Sequence, residues 1–278
     1  MPDPLLLLIT GLAAGVFAGM FGIGGGVIIV PALMLLFSFT PVLAISTSLA
    51  SMLLPVGIFA VLSYRRADLL SIRSAALIAA GLLITSFVGA AIALALPAET
   101  LKQAYGVFLI LMSWRFAEPR KVYAEIQSRR AGVSIPKPPA ALVVSGSQDN
   151  ATPWLGLFGL GLVAGVLSGL FGIGGGAVIV PALVGFLKYD QKLAVGTSLA
   201  ALLLPVGLPG VVRYYQAGQL DLGVAIPIAF GLAFGSLGGA RLALRLPSQT
   251  VRRLYGVFLL FAGVWFILQP GVTAAVTS

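Results

Sequence analysis

FGIGGG occurs at positions 21–26 and again at 171–176, each time between apolar runs and each time followed by a proline, Pro31 or Pro181. Glycine tolerates positive φ and close backbone approach. Gly24, Gly25 and Gly26, and likewise Gly174, Gly175 and Gly176, can therefore aim successive N–H groups at one point, an arrangement that holds anions. The apolar run after each triplet opens a helix whose N-terminus carries about half a positive charge, and broken helices in transporters turn such ends toward anionic substrates. Hydroxyl donors lie near the same depth: Thr47 and Ser48 before Pro55, Thr197 and Ser198 before Pro205. A plainer use is open to the same residues. Small residues let membrane helices pack closely, as Gly11, Gly15 and Gly19 are expected to do, and hydroxyls bond back to their own helix. Arg241, in GGARLALRL, either snorkels to the inner interface or contacts an anion on the cytoplasmic side.

The chemistry that is missing narrows the field. The chain has no cysteine and no histidine, so thiolate metal sites, disulfides and the commonest general base are excluded, and no metal or cofactor is expected. All eight acids fall in loops or at segment ends. No carboxylate is left inside a span to relay protons or bind cations, which disfavours cation transport. General acid–base catalysis lacks its groups as well, and an enzyme is the weakest reading.

These residues are carried on a membrane scaffold. Of 278 residues 59% are hydrophobic and 9% charged, and positions 4–63 carry no charge; soluble domains carry about 25% charged residues. The N-terminus MPDPLLLLIT has no basic region before its apolar run, so no cleaved signal is expected. A shift of 150 residues aligns Gly15–Leu33 with Gly165–Leu183 at 14 of 19 positions, and TSLASMLLPVG with TSLAALLLPVG at 9 of 11. The chain thus reads as two duplicated halves, 1–117 and 153–278, joined by a polar cytoplasmic linker over 118–152. Residues 5–37 would form a helix of about 50 Å, too long for one crossing of a hydrocarbon core of about 30 Å. The glycines are expected to split it into a broken hairpin of 5–21 and 27–37. Three longer segments follow in the first half, about 41–64, 72–96 and 101–116, the first of them bent at Pro55 as its counterpart is at Pro205.

The net charge of +9 belongs to loops beside a membrane, not to nucleic-acid binding. With five passes per half and the N-terminus outside, 15 of the 17 basic residues face the cytoplasm, and only Lys102 and Arg213 lie outside. Four passes per half divide them 10 to 7 at best. The expected fold is therefore an all-α polytopic membrane protein of about ten segments, eight to ten by count, arranged as two inverted-topology repeats. Trp114, Trp265, Tyr64, Tyr214 and Tyr215 near segment ends read as interfacial aromatics.

The doubled G-x-x-x-G-x-F-G-I-G-G-G-x-x-x-x-P-A-L motif, with the TSLA segments and the YGVFL recurring at Tyr105 and Tyr255, resembles the TauE/SafE family, the sulfite exporter or toluene-sulfonate uptake permeases. The resemblance implies a multi-pass inner-membrane transporter of sulfur-containing anions such as sulfite, sulfoacetate or related organosulfonates, mostly exported. Its partners would be a small anionic substrate and the lipid bilayer, with homo-oligomerisation compatible. A channel-like anion uniporter and a non-transporting membrane scaffold are the other readings.

Overall fold

The computed structural model describes residues 2–55, 57–117, 153–246 and 248–268. The linker expected over 118–152 lies outside the described residues. Twelve helices are described: α1 Pro4–Phe21, α2 Gly26–Leu36, α3 Pro41–Ser51, α4 Ile58–Arg66, α5 Ile72–Ala95, α6 Ala98–Ala117, α7 Trp154–Phe171, α8 Gly176–Gly185, α9 Gln191–Ala201, α10 Leu208–Gln216, α11 Leu222–Arg245 and α12 Ser248–Leu268. No strand occurs among the described residues. The protein is an all-α polytopic membrane protein, and α1, α5, α7 and α11 are each long and apolar enough to span a bilayer. Their starts are set locally. Asp3 accepts the Leu5 N–H, Ser71 the Ser74 N–H and Asp221 the Val224 N–H at the first turns of α1, α5 and α11.

The split at the glycines stands as expected: α1 ends at Phe21 and α2 starts at Gly26. The third segment of each half differs. Residues 41–64 do not form one bent helix; α3 stops at Ser51 and α4 begins at Ile58, and α9 and α10 part in the same way around Pro205. Pro55 brings no N–H for the carbonyl four residues back and its ring crowds that turn, so the helix ends where a bend was expected. At 1.5 Å per residue α3 and α4 measure about 16 and 14 Å, each about half a bilayer. Each half therefore contains two broken pairs, α1–α2 and α3–α4, followed by the two long helices α5 and α6.

The long helices pair across the halves rather than within them. Helix α1 lies on α11, α5 on α7 and α6 on α12. In α1, Gly11, Gly15 and Gly19 sit directly on the backbone of Ile228, Leu232 and Ser236, so the two helices run parallel. Gly161, Gly165 and Gly169 of α7 repeat this on Ile78, Leu82 and Ser86 of α5, 150 residues away in each case. Helices α6 and α12 are themselves the two copies of one repeat element. They run antiparallel: Ser113 Oγ donates to the Gly256 carbonyl at 2.9 Å, while Gly263 rests on Gly106 and Ile110. Between the pairs lies an apolar core that includes Ile23, Ile29, Leu33, Ile173, Ile179 and Leu183 from the two Gly-split hairpins. Lys102, expected toward the outer face at the start of the 101–116 segment, is a buried residue of α6, only 3% exposed.

Close backbone contact makes the α1–α11 seam sensitive to a single methyl group. In α11 a Cβ at Gly239 would overlap the Val16 carbonyl, whereas at Gly238 it meets nothing within 4 Å. Gly239→Ala is expected to lower stability by about 1–3 kcal/mol through overpacking. Gly238→Ala is expected to be neutral or to gain up to about 1 kcal/mol in helix propensity. Thermal unfolding of the two detergent-purified variants checks the contrast.

Candidate functional site

Helix α1 closes on Gly22 in the left-handed region (φ 72°, ψ 22°), whose N–H bonds back to the Ala18 carbonyl. Gly24 (φ 79°) and Gly25 (φ 95°) continue with positive φ, and Gly25 caps α2. The second copy repeats the path at Gly172, Gly174 and Gly175, with φ of 65°, 69° and 86°. Only glycine adopts such a run without strain. The N–H groups of Gly24 to Val27, and of Gly174 to Ala177, form no hydrogen bond among the described residues. Those in the first turn of a helix have no intrahelical acceptor.

The two turns face each other. Gly26 is seated against Gly172 and Ile173, and Gly176 against Gly22 and Ile23, too closely for any side chain. Ser48 and Ser198 bind the arrangement together: Ser48 Oγ donates to the Gly172 carbonyl and Ser198 Oγ to the Gly22 carbonyl, both at 2.8 Å. Each half thus supplies the hydroxyl that satisfies the broken backbone of the other. Beside the turns is a cavity of about 30 Å³, more than the roughly 10–15 Å³ that a single water needs. Gly24 and Gly174 line it with paired residues from the second helix breaks, Leu49 with Leu199, Met52 with Leu202 and Gly57 with Gly207. Ala18, Val206, Leu232 and Ser236 complete the wall, which carries no ionisable side chain. Met52 and Leu202 both reach the side-chain position of Gly24, and Met52 also reaches that of Gly174, so these two side chains fill the space between the turns.

The expected site residues therefore divide. Gly24 and Gly174 line the cavity. Gly25 and Gly175 stand behind it against Leu232 and Leu82, and Gly26 and Gly176 form the contact between the turns. The Ser48 and Ser198 hydroxyls are committed to carbonyls. Thr197 accepts the Ser71 N–H at 3.1 Å, and Thr47 Oγ1 is buried with no partner. None of these four residues lines the cavity. Arg241 is exposed near the end of α11 and is not brought to the cavity.

Residues passed over in the sequence complete the arrangement. Tyr64 and Tyr214 do not lie at an interface: both are fully buried. Tyr64 OH donates to the Gly19 carbonyl at 3.2 Å and Tyr214 OH to the Gly169 carbonyl at 2.7 Å. A tyrosine near a helix end reads as interfacial because that is its commonest place in a membrane protein. The exact repetition at 64 and 214 was the signal for a shared internal partner. Tyr215, exposed, fits the interfacial reading, as does the partly exposed Trp265; the Trp114 side chain is outside the described residues. Met52 and Leu202 were legible only as members of the repeated TSLA segments.

A profile of the family described as sulfite exporter TauE/SafE matches residues 7–266. Among curated relatives, the probable membrane transporter protein YunE of Bacillus subtilis is 26% identical, covering 95% of this chain and 97% of its own length. A probable membrane transporter protein of Methanocaldococcus jannaschii is 26% identical, with 95% of each chain covered. One from Haemophilus influenzae is 25% identical over 95% of this chain and 98% of its own. No solved structure matches.

The buried tyrosines offer a direct test of the geometry. Tyr214→Phe leaves the Gly169 carbonyl without its donor and is expected to lower stability by about 1–2 kcal/mol. Tyr215→Phe, its exposed neighbour, is expected to change it by less than about 0.5 kcal/mol. Thermal unfolding in detergent separates the two.

Proposed function

The chain belongs to the sulfite exporter TauE/SafE family, and on that premise we propose that it exports a small sulfur-containing anion, sulfite, sulfoacetate or a related organosulfonate, across the inner membrane by alternating access. The observation that carries this reading is the pair of facing Gly turns, in which the N–H groups of Gly24 to Val27 and of Gly174 to Ala177 are unbonded among the described residues, beside a cavity between the halves. Backbone donors and helix N-termini bind anions without any charged side chain. They suit a wall that has none. Thr47, Ser48, Thr197, Ser198 and Arg241 lie off the cavity wall; Gly24 and Gly174 are the residues of first contact.

The two halves are taken as inverted repeats with the N-terminus outside and the linker cytoplasmic. The antiparallel register of α6 and α12 supports the inversion, because equivalent helices that oppose one another are related by an axis perpendicular to them. Contacts across the halves support the orientation. They gather the start of α5, the start of α9 and the end of α11 at one end of the molecule, and with them exposed Arg65, Arg66, Arg73, Lys188 and Arg245. Such a concentration belongs on the cytoplasmic side. With the cell interior negative, outward movement of one anionic charge releases about 2.3 kcal/mol per 100 mV. Export then needs no carboxylate relay.

In proteoliposomes the protein is expected to give saturable sulfite or sulfoacetate flux. Gly24→Ala and Gly174→Ala are expected to reduce it at least about tenfold in folded protein, since each places a Cβ at positive φ in the wall. No flux of sulfite, sulfoacetate or any related organosulfonate would leave the scaffold reading, flux that does not saturate would leave the channel, and undiminished flux in both variants would sink the site.

A further inference from the structure

The two ends of the molecule are copies of one another by the 150-residue repeat, yet they are not closed by the same bonds. At the basic end, α9 and the residue two before it are tied to their neighbours by three hydrogen bonds. Thr197 Oγ1 accepts the Ser71 N–H at 3.1 Å. The hydroxyls of Tyr189 and Ser74 meet at 2.8 Å, and Lys192 Nζ donates to the Leu244 carbonyl at 3.1 Å. Helix α9 reaches these partners because residue 196 is glycine. A Cβ there would overlap the Leu69 carbonyl and crowd Tyr64 Cβ.

At the other end the repeat supplies different residues for each part. Tyr189 and Ser74 correspond to Phe39 and Val224, and Lys192 and Leu244 to Val42 and Leu94. None of those side chains can form the equivalent bond. Thr197 is matched by Thr47 and Ser71 by Asp221, so here the groups are present, but Thr47 Oγ1 is fully buried without a partner. The physical reason lies one residue earlier. Gly196 is matched by Ser46, whose Cβ occupies the space that glycine leaves free and whose Oγ bonds back to the Leu43 carbonyl at 3.0 Å. A serine at this position cannot make the close backbone approach that α9 makes through Gly196.

We propose that Gly196, Thr197, Tyr189 and Lys192 form a polar latch that holds the basic end shut, while the opposite end, whose matching residues form none of these three bonds, is the one that opens first. The proposal rests on the alternating-access reading and adds to it a resting direction: the site opens by default toward the end where α1, α3 and α11 begin. Entry from the basic end requires three hydrogen bonds to part.

The chain has no cysteine, so Met52→Cys, in the cavity wall, places a single thiol between the two ends. Its labelling by a membrane-impermeant maleimide is to be measured in right-side-out and in inside-out vesicles, each variant first checked for normal size and a single symmetric elution peak. The M52C protein is expected to react faster from the end opposite the latch. Adding Tyr189→Phe and Thr197→Val should raise the rate from the latch end at least about fivefold, the weight of one ordinary buried hydrogen bond. Adding Ser46→Gly instead, which lets α3 approach as α9 does, should lower the rate from the opposite end. Equal rates from both ends in M52C itself, or a latch-end rate unmoved by Y189F and T197V, would overturn the latch and leave the transport reading intact. A thiol that reacts from neither end in any variant, yet reacts in denaturant, would overturn alternating access and the latch with it.

Discussion

Inside a hydrocarbon core no water is at hand to bond a free carbonyl or N–H, and each one left bare costs several kcal/mol. A chain that breaks its helices at mid-depth must therefore bring its own partners to the breaks. Here the carbonyls at the ends of α1 and α7 are met by hydroxyls: Tyr64 on Gly19, Tyr214 on Gly169, Ser198 on Gly22 and Ser48 on Gly172. Two of these four donors come from the opposite half. Neither Gly turn is satisfied until both halves are in place, and in this sense the duplicated sequence folds as one body. The same requirement forbids the turns from facing lipid, which fixes them at the centre and with them any site they form.

Centring the turns depends in turn on how the long helices pack. Lipid tails are as apolar as leucine, so burial of apolar area does little to associate helices in a membrane, and close van der Waals contact takes its place. The glycine rows of α1 and α11, and of α7 and α5, bring backbone against backbone across the halves. Each row belongs to a helix that ends in, or lies against, a Gly turn. A shift along either seam would move a turn relative to its partner serine, so the packing of the scaffold and the hydrogen bonding of the site share one register.

Much of this was legible in the sequence, and the residues explain why. The Gly split was forced by length against bilayer thickness, and the repeat was plain in identical residues. Gly11, Gly15 and Gly19 pack as their spacing by four suggested. Three features were not legible. Pro55 reads as a bend or a break according to whether neighbouring groups can take over the lost backbone bonds, and that is a property of the assembled core. The hydroxyls of Ser48 and Ser198 were seen as donors, but their acceptors lie 124 and 176 residues away, beyond any local pattern. Tyr64 and Tyr214 were given the common role of their residue type because burial at a helix end leaves no mark on composition.

What the serines and tyrosines leave undone is as informative as what they do. Every donor they bring goes to a carbonyl, and among the described residues no acceptor is brought to the N–H groups of Gly24 to Val27 or Gly174 to Ala177. The imbalance has one sign in both halves. A cation in this place would find donors where it needs oxygen ligands, and a neutral apolar molecule would leave the N–H groups bare at about 1–3 kcal/mol each. An oxyanion has the complementary shape and charge. Because the donors belong to the backbone, they cannot swing away as side chains do, and their strength rises as the dielectric around them falls. On the proposed anion reading, Met52 and Leu202, which keep the space between the turns apolar and small, would sharpen the preference for an anion rather than oppose it, by lowering the dielectric around donors that a strong acceptor satisfies best.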